Sequence, residues 1–435
     1  MNAEADSAEV DESRGDDWSF PAVYSLGFLC LISVFNYLDR AILGLALPLI
    51  KEEMQVSDTA LGFVSGLAFV LFYAILGVPI AWAADRWNRR SIIAIGFAFW
   101  SVMTVATGFV ANIWQLAVAR FLMGAGEACG LAPSNSMISD TFRRERRPLA
   151  LAIFGTANSI AFIALFPIAG WIATEYGWRT MFVAAGLPGL VLALLFFFTV
   201  REPERGAVED KPARFANVNF RETIGFLRGT RTYLLILLGV TFMGANVFAA
   251  GAWTPTFLNR VHDMTIAEVA TSIGPVRGVL GAVGILAGGL MIDRLGSRWT
   301  AWRIRIPALA CILAGPAEAL FLLGDPQWLW LLGFGLTSFL TLIHQGPIYA
   351  ATMNVVGVRM RALAVAILIF CASLLGQAVG PLAVGILNDA LQPEFGSLAI
   401  RYSLLIIAIT PVFAGMSFWA AAASYQQDMT RAESA

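Results

Sequence analysis

One long apolar segment of this chain ends in Asp85-Arg86-Trp87-Asn88-Arg89-Arg90, and another ends, 208 residues later, in Asp293-Arg294-Leu295-Gly296-Ser297-Arg298. A second set of matching positions lies 214 residues apart, pairing Pro133, Arg147, Leu149, Ala150, Ala152 and Ile153 with Pro347, Arg361, Leu363, Ala364, Ala366 and Ile367. Both offsets are close to half of the 435 residues, so the sequence predicts two related halves. Parallel repeats of apolar segments are one of the symmetries of membrane carriers.

The composition is that of a membrane protein. Hydrophobic residues make up 58% of the chain and charged residues 14%, against roughly 25% charged in a soluble domain. A helix needs about 20 apolar residues to cross a bilayer. Uninterrupted runs of this length favour helices over barrel strands, so we predict an all-α membrane protein with twelve transmembrane helices in two six-helix bundles. The predicted spans are 20–49, 59–84, 91–111, 113–139, 147–174, 179–200, 232–260, 268–292, 303–323, 328–356, 360–388 and 400–424.

The basic residues predict the orientation. Arginines are concentrated in the loops after spans 2, 4, 8 and 10 and in 201–231, whereas the opposite loops hold only Lys51, Arg179, Arg260 and Arg401. By the positive-inside rule, both termini are predicted to be cytoplasmic in a bacterial inner membrane. The predicted organisation is an acidic disordered tail (1–18), an N-terminal bundle (19–200), a cytoplasmic linker (201–231), a C-terminal bundle (232–425) and a second tail (426–435).

Several classes of function find no support in the sequence. The four cysteines lie inside spans without metal-ligand spacing, and no nucleotide-binding loop or nucleophile elbow is present. The net charge of −1 gives no sign of nucleic-acid binding. We therefore expect a monomer that is not an enzyme and that has no cofactor or metal.

The loop motif resembles that of the major facilitator superfamily. The family pattern, Gly-x3-Asp-Arg-x-Gly-x-Arg, is complete from Gly289 to Arg298, whereas the first-half copy has Ala81 and Asn88 in place of its glycines. The resemblance covers nearly the whole chain. It implies secondary transport by two bundles that rock around a central site.

Three further motifs resemble narrower groups. Asn36-Tyr37-Leu38-Asp39-Arg40 is similar both to spinster lipid carriers and to organic-anion symporters of the sugar-acid type, whereas Gly124-Ala125-Gly126-Glu127-Ala128 and Arg201-Glu202-Pro203-Glu204-Arg205-Gly206 favour spinster. The resemblance implies a lysophospholipid or sphingoid lipid as substrate, with protons and membrane lipids as partners. The alternatives are a proton-coupled organic-anion symporter and, less favoured, a receptor that does not transport.

Charged residues within a span are candidates for function, because placing them in a membrane is costly. We predict that Asp39 and Glu127 bind protons and that Arg40 and Arg120 form ion pairs with them. Asp39 and Arg40 are neighbours and must point about 100° apart. The alternative is a permanently paired network that only holds span 1 to span 4.

The second half does not repeat these charges. At the offset of 208 residues, the positions equivalent to Asp39 and Arg40 are Val247 and Phe248. This difference predicts an apolar substrate surface in the second half. The predicted substrate-binding residues are Arg40, Glu127, Arg277, Tyr73, Asn246, Phe242, His344, Tyr349 and Gln377. Ordinary helix packing is the alternative for Phe242, Asn246 and His344, and snorkelling to the surface is the alternative for Arg277. Glu318 is expected to be interfacial.

The loop motifs are predicted to form a gate. Asp85 at the end of span 2 can accept hydrogen bonds from the start of span 11, where the helix dipole favours negative charge. The alternative is that the arginines only set topology. The predicted gating residues are Asp85, Arg86, Arg89, Arg90, Asp293, Arg294, Arg298, Arg147 and Arg361.

Overall fold

A computed structural model of the protein describes residues 18–205, 220–296 and 300–433, and in this part of the chain the regular structure is helical. Nine segments of the described chain are long and apolar enough to cross a membrane. Two of them, Arg147–Thr199 and Val358–Glu433, are 53 and 76 residues long and each contain two spans. The nine segments therefore hold eleven spans. The two consecutive helices of residues 113–141 form one more, which gives the twelve spans predicted.

The first six spans form one bundle. Their helices are Phe20–Met54 (span 1), Asp58–Ser65 with Leu67–Ala84 (span 2), Arg89–Thr107 (span 3), Ile113–Glu127 with Leu131–Thr141 (span 4), Arg147–Gly155, Ala157–Ile160 and the π-helical turn Ala161–Leu165 (span 5), and Phe166–Thr199 (the rest of span 5 and span 6). Gly177 separates spans 5 and 6 with φ 82° and ψ 159°, a conformation that glycine adopts without strain.

The last six spans form the second bundle, preceded by a short helix, Phe220–Arg228. Its helices are Arg231–His262 (span 7), Ile266–Met291 with the π-helical turn Ile292–Gly296 (span 8), Trp302–Leu323 (span 9), Gln327–Leu340 with Gln345–Asn354 (span 10), Arg361–Phe395 (span 11), and Ala399–Ile407 with Thr410–Glu433 (span 12). Most of the predicted N-terminal tail (1–17), residues 206–219 of the predicted linker, and Arg298 lie outside the described residues.

Spans 1 and 7 show the internal repeat in their backbones. Both end in a left-handed residue that is not glycine: Gln55 and Asp263 each have φ 52° and lie 208 residues apart. Within the two helices, Pro48 and Pro255 lie 207 residues apart. The halves are therefore two copies of one bundle, and the offset inside spans 1 and 7 is 207.

The two bundles touch along three pairs of spans. Span 1 crosses span 7 at Gly44, where an added Cβ would lie 2.8 Å from the carbonyl oxygen of Gly251, itself 207 residues after Gly44. Span 2 meets span 11 at Gly62, and span 8 meets span 5 at Gly274, again with a carbonyl oxygen where a Cβ would be. Span 8 is the equivalent of span 2 in the other half, and span 5 is the equivalent of span 11. The contact of spans 2 and 11 and the contact of spans 8 and 5 are therefore related by the pseudo-twofold axis, which passes through the crossing of spans 1 and 7 at Gly44.

The polar contacts between bundles are concentrated at one end of the described chain. We call the end where the described chain starts and finishes the tail end, and the opposite end the far end. At the far end, Asp58 on span 2 accepts from both Nη atoms of Arg260 on span 7, at 2.6 and 2.9 Å, and from Lys51 at 2.6 Å. Asp389 on span 11 accepts from the backbone N–H groups of Asp58 and Thr59. This group, Lys51, Asp58, Arg260 and Asp389, is the far-end latch.

Candidate functional site

An ion pair buried between spans 1 and 4 is the centre of the candidate site. Glu127 Oε2 accepts a hydrogen bond of 2.7 Å from Arg40 Nε and one of 2.8 Å from Asn36 Nδ2. Asn36 and Arg40 lie four residues apart on span 1 and therefore share a face. The second oxygen of Glu127, Oε1, is buried and has no hydrogen-bond partner among the described residues. One oxygen of the carboxylate is therefore paired with a cation and the other has no partner in the described structure.

The ring of Phe69 lies below two arginines. The Arg40 and Arg120 guanidinium carbons lie 4.9 and 5.1 Å from its centroid. Span 4 approaches span 2 closely because Gly124 has no Cβ, which would clash with the carbonyl oxygen of Phe69. Such cation–π contacts stabilise a cation away from water. The ring therefore helps to keep two like charges in one small volume.

Asp39 faces away from Arg40, as predicted, and contacts span 3. Its side chain is 2% exposed, and Oδ2 accepts a hydrogen bond of 3.2 Å from Thr104 Oγ1. Oδ1 is buried without a partner among the described residues. The charges of Glu127 and Arg120 act on Asp39 through space, without an ion pair to it in the described structure. The four predicted charges thus form one cluster, in which Arg40 and Glu127 make the direct contact.

A small cavity lies between the bundles next to this cluster. It has a volume of about 20 Å³ in this conformation and is lined by residues of spans 1, 5, 7, 8 and 10. The lining side chains, which include Ala41, Phe166 and Phe334, are apolar except for Thr254 and Arg277. The Arg277 guanidinium lies 5.0 Å from the Phe162 ring, and no carboxylate among the described residues lies within ion-pair distance of it. An anionic group in the cavity would supply the missing countercharge.

The other predicted substrate-binding residues fall into two groups. The Tyr73 ring lies 4.9 Å from the Arg40 guanidinium carbon and belongs to the charged cluster, whereas Tyr349 on span 10 packs against the hydrophobic core of the C-terminal bundle. The remaining four make contacts within the helix packing. Phe242 contacts Phe413, His344 stacks on Phe418 with Nδ1 2.6 Å from Thr341 O, Gln377 packs its backbone against Gly66, and Asn246 bonds to Glu318.

The predicted gating residues do not form one contact in this conformation. Arg89 is buried and fastens its own half, donating to Asp140, to Ser136 and to Glu202. Arg90 donates its backbone N–H to Glu202, and Arg86 donates to Trp82 O. Asp85 and Asp293 are exposed, and Asp85 accepts no hydrogen bond from the described start of span 11. Arg147 donates to Phe142 O, and Arg361 is half-buried at the start of span 11.

Three residues of the site were not singled out from the sequence. Asn36 belongs to the motif of span 1, and its spacing of four from Arg40 was a signal that could have placed it. Thr104 and Phe69 carry no such signal, because a threonine and a phenylalanine are ordinary residues of an apolar span. Only the packing of spans 2 and 3 against spans 1 and 4 shows their contacts.

Comparison with known proteins agrees with this geometry. The Major Facilitator Superfamily matches residues 29–381. The chain is 30% identical over 430 residues to an MFS-type efflux pump of Mycolicibacterium smegmatis, with 98% of each chain covered. It is 28% identical to protein spinster homolog 1 of Xenopus tropicalis, covering 93% of this chain and 81% of that protein. It is 26% identical to the sphingosine-1-phosphate transporter SPNS2 of Danio rerio, covering 93% and 85%.

A solved structure is also similar. The bacterial homolog of the human lysosomal transporter spinster, in an inward-facing and unoccupied conformation, superposes with a TM-score of 0.86 at 25% identity over 95% of this chain and 99% of that one. This chain and the bacterial spinster homolog thus share both the arrangement of helices and part of their sequence. The chain belongs to the Major Facilitator Superfamily of membrane transporters, and within it resembles the spinster group.

Proposed function

We propose that the protein is a proton-coupled secondary transporter of an anionic amphipathic lipid, such as a lysophospholipid or a phosphorylated sphingoid lipid. The observation that carries the proposal is the cavity between the bundles, whose wall is apolar apart from Thr254 and Arg277. A guanidinium group matches a phosphate or a carboxylate in geometry. The apolar remainder of the wall suits an acyl chain, and the bundles must move apart to admit one, because the cavity has room for only about one water molecule in this conformation. The relative named as a sphingosine-1-phosphate transporter supports the same substrate class.

Proton coupling in this proposal acts through the Arg40–Glu127 ion pair and through Asp39. A proton on Glu127 removes the negative charge that holds the Arg40 guanidinium. The Arg40 side chain is 24% exposed, and Arg40 precedes the cavity residue Ala41 in the sequence. Asp39 and Glu127 each keep one buried oxygen without a partner in the described structure, so each has a place for a proton. Protonation would therefore change which contacts hold span 1 to span 4, and alternating access follows if the bundles then rock.

The organic-anion symporter is the second candidate, since Arg277 would hold a small carboxylate equally well. A sugar acid presents hydroxyl groups on all sides and would need polar partners on several walls. The cavity offers only Thr254 besides Arg277, which favours the amphipathic lipid. The name of the mycobacterial relative, an efflux pump, supports transport out of the cell as the direction.

The test is flux of a labelled lysophospholipid in proteoliposomes, with and without an imposed pH gradient. We expect gradient-stimulated flux in the wild type and in Arg228→Gln, an exposed arginine outside the spans. Arg277→Gln should lose flux of the anionic lysolipid more strongly than that of a zwitterionic one, because only the anion needs the guanidinium. Equal loss for both lipids would contradict a headgroup site at Arg277.

Asp39→Asn tests the coupling separately. We expect the variant to fold, to transport down a lipid gradient and to lose the response to the pH gradient. A variant that does not fold would support the permanent structural network instead. No lipid flux in the wild type would redirect the search to sugar acids and other small organic anions.

A further inference from the structure

A further buried carboxylate lies within span 9 of the C-terminal half, where the sequence predicted none. Glu318 on span 9 is 3% exposed, and its Oε2 accepts a hydrogen bond of 2.7 Å from Asn246 Nδ2 on span 7. Asn246 is 1% exposed. Glu318 was expected to be interfacial from its nearness to the end of span 9. The structure instead places it against the middle of span 7, sixteen residues before that helix ends at His262.

The pair occupies the place that Asp39 and Thr104 occupy in the other half. Glu318 follows Thr104 by 214 residues, the offset of the second echo in the sequence. Asn246 follows Asp39 by 207 residues, the offset that also relates Gly44 to Gly251 and Pro48 to Pro255. Each half therefore has one buried carboxylate bonded between its first and third spans. In the N-terminal half the acid is on the first span, and in the C-terminal half it is on the third.

This finding corrects the apparent loss of charge in the second half. The offset of 208 matched Asp39 with Val247, whereas the offset of 207 inside the helix matches it with Asn246. The carboxylate was not lost but lies on the neighbouring helix.

No charged group among the described residues neutralises Glu318. The cations on the spans around it are engaged elsewhere: Arg260 with Asp58, Arg401 with Asp325, and Arg277 with the Phe162 ring. His344 is held by Thr341 O and Phe418. Asp428 and Arg431 lie at the tail end of span 12, and Arg431 donates to Gly229 O. Within the described residues, the hydrogen bond to the carboxylate comes from Asn246.

We propose that Glu318 is a proton-binding carboxylate of the C-terminal half, the counterpart of Asp39, and that Asn246 is the positioning residue that holds it. An ionised carboxylate without a cation is strongly disfavoured in an apolar interior, whereas the protonated form is neutral and can still accept from Asn246. The proton adds to one oxygen, and no other bond changes. A part for this proton in the transport cycle rests on the proposed function; the proton site itself does not.

The experiment is infrared difference spectroscopy of the full-length protein in lipid during a step to alkaline pH. We expect the wild type to show a C=O stretching band of a protonated carboxyl that disappears at high pH. Glu318→Gln should lack this band. The matched control, Glu394→Gln, removes an exposed acid near the end of span 11 in the same half and should retain it. A spectrum of Glu318→Gln identical to the wild type, or a band that never responds to pH, would overturn the proposal.

A second variant covers the possibility that Glu318→Gln does not fold. Asn246→Ala removes the hydrogen bond to the carboxyl, and a carbonyl without that bond vibrates at higher frequency. The band should therefore shift upward in this variant, and an unshifted band would remove Asn246 from the site. Lysolipid flux is not needed for either result. Failure of the lipid proposal would leave the band in place, and failure of the Glu318 proposal would leave the flux.

Discussion

At the scale of single residues, the charges of the first half are stabilised by a few short contacts in apolar surroundings. Glu127 makes the largest number of these contacts, since it accepts hydrogen bonds from both Asn36 and Arg40. The sequence predicted that Asp39, Arg40, Arg120 and Glu127 form one group, from helix spacing and depth. It could not predict which atoms pair, because Thr104 and Phe69 come from other spans and have no distinctive chemistry in a membrane segment.

The first prediction concerns Glu127. Glu127→Ala leaves Arg40 without its countercharge, and removing one partner of a buried pair costs about 3–5 kcal/mol of stability. Glu127→Gln should cost much less, because its amide oxygen can still accept from Arg40 and Asn36. Thermal unfolding of the purified variants in detergent measures the difference, with Glu222→Ala as an exposed control. Equal melting temperatures for the alanine and glutamine variants would show that the ion pair does not stabilise the fold.

At the scale of elements, the apolar runs predicted the twelve spans, since length and hydropathy alone determine whether a helix can cross a bilayer. The breaks within the spans were not predicted. Gly66 interrupts span 2 with φ −115° and ψ −86°, and a π-helical turn interrupts span 5 at Ala161–Leu165. Counting residues from the end of span 9 gave a wrong position for Glu318 in the bundle, because spans 7 and 9 end at different heights. Span 9 ends five residues after Glu318, whereas span 7 continues for sixteen residues beyond Asn246.

The second prediction concerns the crossing of spans 1 and 7. In Gly44→Ala the new methyl group would lie 2.8 Å from Gly251 O, in backbone that cannot turn aside. The helices must separate, and we expect a loss of about 1–3 kcal/mol of stability. Gly27→Ala is the matched control on the same helix, since nothing lies within 4 Å of its added Cβ. Thermal unfolding distinguishes the two, and a Gly44→Ala protein as stable as the control would argue against the close crossing.

At the scale of the whole molecule, the two bundles are joined at the far end and carry exposed motif loops at the tail end. Asp58 is central to the far-end latch, because it accepts from Arg260 across the bundle interface while its own N–H donates to Asp389. A conformation open at the far end must break these contacts. The latch therefore sets part of the free-energy difference between the two conformations.

The third prediction follows from the latch. Asp58→Asn removes the ion pair with Arg260 across the bundle interface. A loss of about 3 kcal/mol there would raise the population open at the far end by roughly a hundredfold. Distances between spin labels at Glu52→Cys and Gln392→Cys, both exposed at the far end, report the opening once the native cysteines are replaced. Glu53→Gln is the control, since its partner Arg179 belongs to the same bundle. An unchanged distance distribution in Asp58→Asn would mean that other contacts hold the far end closed.

The meeting of Gly44 with Gly251 has an implication for the origin of the chain. A residue that touches its own counterpart across a twofold axis makes an isologous contact, the kind that joins the identical subunits of a homodimer. An ancestor of half this length would have brought this position of two copies together. In its duplicated descendant the close approach requires glycine only at Gly44, because nothing lies within 4 Å of a Cβ added at Gly251. The two bundles therefore have the interface of a fused dimer. If the two bundles are expressed as two separate polypeptides, with the chain divided at a position between residues 206 and 219, we expect them to associate in the membrane.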